Sequence, residues 1–250
     1  MLNKISSLFN DFKGKFLNSP DAVSGTIIAG QVAMNPVKTF TFGYLMNINL
    51  ANLKDPDPTE DAADAFNVDE LNLIHICSQL SSEVYHSKEN RNLPKNSGNI
   101  IFEPDLSDYT GKAIPFFVTN SDELNLIFVS CRGSYCFKDF LTDLNGNAAN
   151  VYGGLMHSGV LDASLSVLAL LKDFLIQASK NNGNRPVIIT GHSLGGAVAS
   201  AIVEQMKREI PDFPIRGIIF APAASVSRSL WDKSRQNVTT FVLSGDFVPF

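Results

Sequence analysis

Only three cysteines, Cys77, Cys131 and Cys136, occur in the 250 residues. An odd number without framework spacing excludes a small secreted fold held together by disulfides. Cys131 and Cys136 could pair, but idle or buried thiols are the favoured reading. No Cys/His group has metal-ligand spacing, so no metal is expected. Positive charge is also short: 20 Lys and Arg stand against 25 Asp and Glu, a net charge of −5. No basic stripe is present, which argues against a nucleic-acid partner. Long apolar runs are missing too. The best candidate, Ala22 to Met34, is too short to span a bilayer and holds Ser24, two glycines and Gln31. Met1 to Phe9 begins like a leader, but Asn10 and Asp11 break its apolar core. The expected location is cytoplasmic, with peripheral membrane contact left open. No internal repeat or low-complexity tract interrupts the chain.

What is present suits one sizeable domain with a small extension, because 44% of the residues are apolar. Two parts are read: an N-terminal extension and linker over 1–60, and an α/β domain over 61–250. In residues 1–18, Leu2, Ile5, Phe9, Phe12 and Phe16 fall at helical spacing with Lys4, Lys13 and Lys15 between them. Such a helix either meets a membrane surface or packs on the domain, and the second reading is favoured. Phe40, Phe42, Tyr44, Met46, Ile48 and Leu50 alternate with period two, the pattern of a strand with one buried face. Asp55-Pro56-Asp57-Pro58-Thr59-Glu60-Asp61 reads as a solvated linker.

A helix is predicted from about Asp69 to His86, with Leu73, Ile76, Leu80 and Val84 as its apolar stripe. His75 and His86 are read as surface or packing histidines. Residues 87–112, rich in Asn, Ser, Gly and Pro, are predicted to be loop. The apolar runs 113–119 and 124–130 read as a hairpin, with Pro115 making the first an edge or opening strand. A Leu-rich helix is predicted over 160–178. Short apolar strands are predicted at 186–189, 217–220 and 238–243. Unbroken apolar strands between helices indicate a mostly parallel sheet covered on both faces.

Gly191-His192-Ser193-Leu194-Gly195 carries the chemistry. It follows the apolar run Val187-Ile188-Ile189-Thr190 and opens the small-residue segment Gly196 to Val203. A serine in a sharp turn between strand and helix is lifted clear of the sheet, where a base and a substrate can both reach it. Side chains at the flanking glycine positions would collide with strand and helix.

Four segments together resemble one family, the class 3 lipases (fungal-lipase-like α/β-hydrolases). Cys131-Arg132-Gly133-Ser134 with the downstream Asp143-Leu144 is similar to that family's Arg-Gly-Thr/Ser segment and its Asp-Leu. His157-Ser158-Gly159-Val160 is similar to its His-x-Gly-Phe opening of the long helix. Gly191 to Ala197 is similar to its elbow, and Ser244-Gly245-Asp246-Phe247-Val248-Pro249 to its Asp-x-Val-Pro segment. The four occur in the family's order over roughly residues 69–250.

The resemblance implies an α/β-hydrolase-type sheet, truncated here after the catalytic-acid strand, and hydrolysis of lipid acyl esters with no cofactor. It makes Ser193 the nucleophile and Asp246 the carboxylate that orients the catalytic histidine. It makes Ser134 an oxyanion donor, joined by the backbone N–H of Leu194. Asp143 is read as structural, and residues 135–142 fall where relatives carry a lid. The partner expected is a lipid or ester substrate. The family's histidine base follows its aspartate by some distance. The four histidines here, His75, His86, His157 and His192, all precede Asp246. The expectation is therefore a C-terminally incomplete lipase-like chain. The alternative is a non-catalytic lipid-binding relative lacking the base.

Overall fold

A computed structural model describes residues 68–133, 148–227, 229–230 and 236–242. The expectations for 1–67, including the N-terminal helix, the alternating strand and the linker, lie outside the described residues.

Six strands form the main sheet in the order β1 (Asn99–Phe102), β2 (Phe116–Ser121), β3 (Leu126–Cys131), β6 (Val187–His192), β7 (Ile215–Phe220) and β8 (Val238–Phe241). β1, β2 and β3 pair antiparallel, whereas β3, β6, β7 and β8 pair parallel. A separate two-stranded hairpin joins β4 (Ala148–Val151) to β5 (Gly154–His157).

Period-two alternation sorts the strand residues between two apolar layers. Phe116, Val118, Ile127, Val129, Val187 and Ile189 face one layer, where the helices α2 (Ser158–Asn181) and α3 (Leu194–Glu209) pack. Phe117, Phe128, Ile188, Ile218 and Phe220 face the other, covered by α1 (Val68–Glu83). In α2 the buried residues Val160, Ala163, Val167, Leu171, Leu175 and Ala178 recur every three or four positions. α3 buries Gly195, Gly196, Ala197, Ala199 and Ala201, whose small size lets it lie close on β6 and β7.

Buried hydroxyls also dock α1 on the sheet. Ser130 Oγ donates to the Leu80 carbonyl at 2.7 Å, Ser81 and Thr190 share a hydroxyl bond of 2.8 Å, and Thr190 Oγ1 donates to the Cys77 carbonyl at 3.3 Å. These bonds satisfy polar groups that would otherwise cost free energy inside an apolar layer.

The mostly parallel sheet with helices on both faces is observed, with differences in detail; α1 ends at Glu83 rather than near His86, β7 starts at Ile215, and β8 ends at Phe241. Residues 99–102, expected as loop, form β1, so β2 is an interior strand and Pro115 sits just before it. Its weak signal reflects its place at the edge, where its residues are half-buried or exposed. The β4–β5 hairpin was not apparent from sequence; it turns through Tyr152 and Gly153, both at positive φ (56° and 76°). The face that α1 buries is wider than the expected stripe, taking in Leu71, Ile74 and Cys77. β6 and α2 are longer than expected, running to His192 and over Ser158–Asn181. Among the described residues no helix is long and apolar enough to cross a membrane.

Candidate active site

β6 ends at His192 and α3 begins at Leu194, so Ser193 alone makes the turn between them. Its backbone stands at φ 56° and ψ −124°. A serine before a helix is ordinarily an N-cap: it takes extended backbone angles and its side-chain oxygen accepts from an N–H of the first turn. Ser193 does neither, since it makes no side-chain cap bond. A positive φ at a non-glycine residue costs about 1–3 kcal/mol and persists only where surrounding structure enforces it.

That enforcement is visible. Ser193 N–H donates to the Phe220 carbonyl on β7 at 3.1 Å. Its carbonyl accepts from Ala197 within α3 at 3.1 Å and from Ala223 in the loop after β7 at 3.2 Å. Glycines let the pieces meet. A Cβ on Gly195 would lie 2.3 Å from the Cys131 carbonyl oxygen, and one on Gly191 would lie 2.6 Å from the Gly195 carbonyl carbon. Gly133, two residues beyond Cys131, is also pressed in: its Cβ would stand 2.8 Å from the His192 carbonyl oxygen. The end of β3 and the elbow are therefore in direct contact, as the parallel register pairing Cys131 with Gly191 requires.

Leu194, half-buried, is the first residue of α3. Its N–H belongs to the first helical turn, whose donors have no intrahelical acceptor. Ser193 and the Leu194 amide are thus brought together at the turn. Ser134 and Asp246 lie outside the described residues, as do Asp143, Cys136 and residues 135–142. What the fold fixes is where their segments start. Gly133 lies against the elbow, and β8 runs parallel to β7 up to Phe241, which pairs with Phe220.

The four histidines are placed differently. His75 and His86 belong to α1 and the turn after it, and His86 Nδ1 lies 3.2 Å from Glu83. His157 closes β5, and its backbone N–H donates to the Ser225 carbonyl at 2.7 Å. His192 is partly exposed as a residue, but its Nδ1 is buried, and that burial pushes the imidazole down to about 4. It is a neutral, weak base at pH 7. The thiols of Cys77 and Cys131 are free and buried. Burial raises both, Cys131 to about 12, so neither offers a thiolate. Among the described residues no cluster of three or more His, Cys, Asp or Glu could hold a metal ion.

Sequence reasoning missed two contributors to the site. One is the loop 221–227, which holds Ser193 through Ala223 and the β5 strand through Ser225. The other is Tyr85, whose hydroxyl accepts from the Gly133 N–H at 3.1 Å.

Comparison with known proteins decides the kinship of this site. The class 3 lipase family model matches residues 128–250. Residues 128–250 belong to the class 3 lipase family. The matched segment runs from β3 through the elbow and beyond β8. Mouse diacylglycerol lipase-beta is 26% identical over 145 residues, which make up 54% of this chain and 21% of that protein. The secreted mono- and diacylglycerol lipase 1 of Fusarium solani is 31% identical over 103 residues, 40% of this chain and 31% of that one. The chain thus spans less than a third of the length of these curated relatives. The Rhizomucor miehei lipase, solved as a propeptide complex, superposes with a TM-score of 0.62 at 19% identity, covering 74% of this chain and 64% of that one. That likeness concerns the fold, which is of the α/β-hydrolase type.

Proposed function

We propose that this class 3 lipase domain hydrolyses acyl esters of glycerolipids through Ser193. One observation carries the reading. Ser193 is held at φ 56° between β6 and α3, and its side chain does not cap the helix it precedes, which supports a chemical use for the hydroxyl. The relatives named for action on mono- and diacylglycerols supply the substrate class.

In this reading Ser193 Oγ attacks the acyl carbonyl carbon. A base takes its proton and returns it to the departing alcohol, and water then cleaves the acyl-enzyme. Charge developing on the carbonyl oxygen is met by the Leu194 N–H and by Ser134, each such donor lowering the barrier by ~3–4 kcal/mol. Asp246 orients the base. His192 is adjacent to the nucleophile and held near 4, so the base is not assigned to it. The resemblance places the base after Asp246 in sequence.

The test compares the full-length protein with its Ser193→Ala variant on a chromogenic short-chain ester and on diacylglycerol. Turnover by the parent and a loss of at least about 1,000-fold in the variant are expected. Equal rates would reject the serine mechanism. A folded parent without turnover would favour the lipid-binding relative.

A further inference from the structure

We infer that Tyr85 is a positioning residue for the proposed site, acting as a strut that fixes the Arg132–Gly133 peptide against the turn that carries Ser193 and the Leu194 N–H. The inference rests on the proposed hydrolase reading and deepens it.

Tyr85 lies just beyond the C-terminus of α1, and its backbone N–H closes that turn on the Ser82 carbonyl at 3.1 Å. The ring is buried among the residues that α1 packs on the sheet. Its hydroxyl accepts the Gly133 N–H at 3.1 Å, across 48 residues of sequence. Gly133 is also closely packed, because a Cβ there would stand 2.3 Å from the Tyr85 hydroxyl oxygen, 2.8 Å from the His192 carbonyl oxygen and 3.5 Å from the Gly195 nitrogen. Tyr85 and the elbow thus crowd the same face of Gly133 and leave no room between them.

Two consequences follow from this geometry. The Gly133 N–H is occupied by Tyr85 and is not a donor to substrate. The peptide plane between Arg132 and Gly133 is fixed relative to the elbow that carries Ser193 and the Leu194 N–H. The strut has a firm base without Ser81, since α1 is tied to β3 by the Ser130–Leu80 bond and to β6 by the Thr190–Cys77 bond. Oxyanion stabilisation depends on donors placed before the charge develops, and a shift of about 1 Å can cost roughly 100-fold. A hydroxyl that fixes the peptide packed against the Leu194 turn therefore affects the transition state more than substrate binding.

Tyr85→Phe removes the hydroxyl and keeps the ring. Ser81→Ala serves as the comparison, because it removes a bond that docks α1 without touching Gly133. The readouts on the full-length protein are the rate at which a fluorophosphonate labels Ser193, the separate kcat and KM on an ester, and Tm. Tyr85→Phe is expected to lower the labelling rate and kcat by about 10- to 100-fold with KM within about twofold. Ser81→Ala is expected to lower Tm while holding both rates within about twofold. Labelling and kcat at parental values in Tyr85→Phe would overturn the inference and leave the hydrolase reading intact. Equal rate losses in both variants would also overturn it, since that pattern marks general loosening. If the folded parent is not labelled, or Ser193→Ala is labelled as fast, the hydrolase reading fails and this inference with it.

Discussion

Gly195 lies so near Cys131 that a single methyl group on its Cα would stand 2.3 Å from the Cys131 carbonyl oxygen. The same hypothetical methyl would lie 2.9 Å from the Gly133 nitrogen. One glycine at the start of α3 thereby joins the Ser193 turn to the end of β3.

This contact reverses an ordinary expectation. Replacing a glycine in a helix by alanine usually stabilises by ~1 kcal/mol. Gly195→Ala is expected instead to destabilise by about 3 kcal/mol, because backbone atoms of β3 must move to admit the methyl group. Urea unfolding monitored by circular dichroism measures the change, and a gain in stability would show that the close approach is not maintained in solution.

The strain at Ser193 makes its own prediction. At φ 56° glycine avoids the penalty that serine and alanine both bear. Ser193→Gly is therefore expected to be more stable than Ser193→Ala by about 1 kcal/mol, with both inactive. This differs from an N-cap serine, where alanine loses a capping bond and glycine costs only a few tenths. The two variants' Tm values decide it, and equal stability would mean the turn is relaxed.

Burial of His192 predicts a pH dependence. The imidazole is held down at about 4 in the fold, against about 6.5 in an unfolded chain. Between those values the unfolded chain binds more protons, so stability rises with pH through that window. The contribution is complete above pH 6.5 and is lost as pH falls toward 4, a change of about 3 kcal/mol at most. Carboxylates titrate in part of the same range, so the useful quantity is the difference between the parent and His192→Gln. That difference is expected to narrow steadily from pH 6.5 to 4. Parallel profiles would show that His192 titrates normally.

How much of this was written in the sequence depends on how local each cause is. The elbow was legible because its steric demands fall within five residues, 191–195, and glycine is the only residue that meets them. The interior strands were legible because both faces are covered, which yields unbroken apolar runs such as 187–189. β1 was not legible: it lies at the sheet edge, half-buried at most, and its pairing with β2 shifts register between Ile100 and Phe102. The hairpin 148–157 hid behind a short apolar pattern, although Tyr152-Gly153-Gly154 is a fair turn signal. Tyr85 could not be found at all. Its role rests on a contact with Gly133, 48 positions away, and nothing in the local pattern separates it from any other aromatic on a helix end.

The most direct test of the central claim is to locate a fluorophosphonate adduct by mass spectrometry on the native full-length protein. The account predicts a single phosphonylated serine at Ser193, formed in the folded protein and absent after prior denaturation. An adduct on another serine, or none on a folded protein that turns over esters, would contradict it.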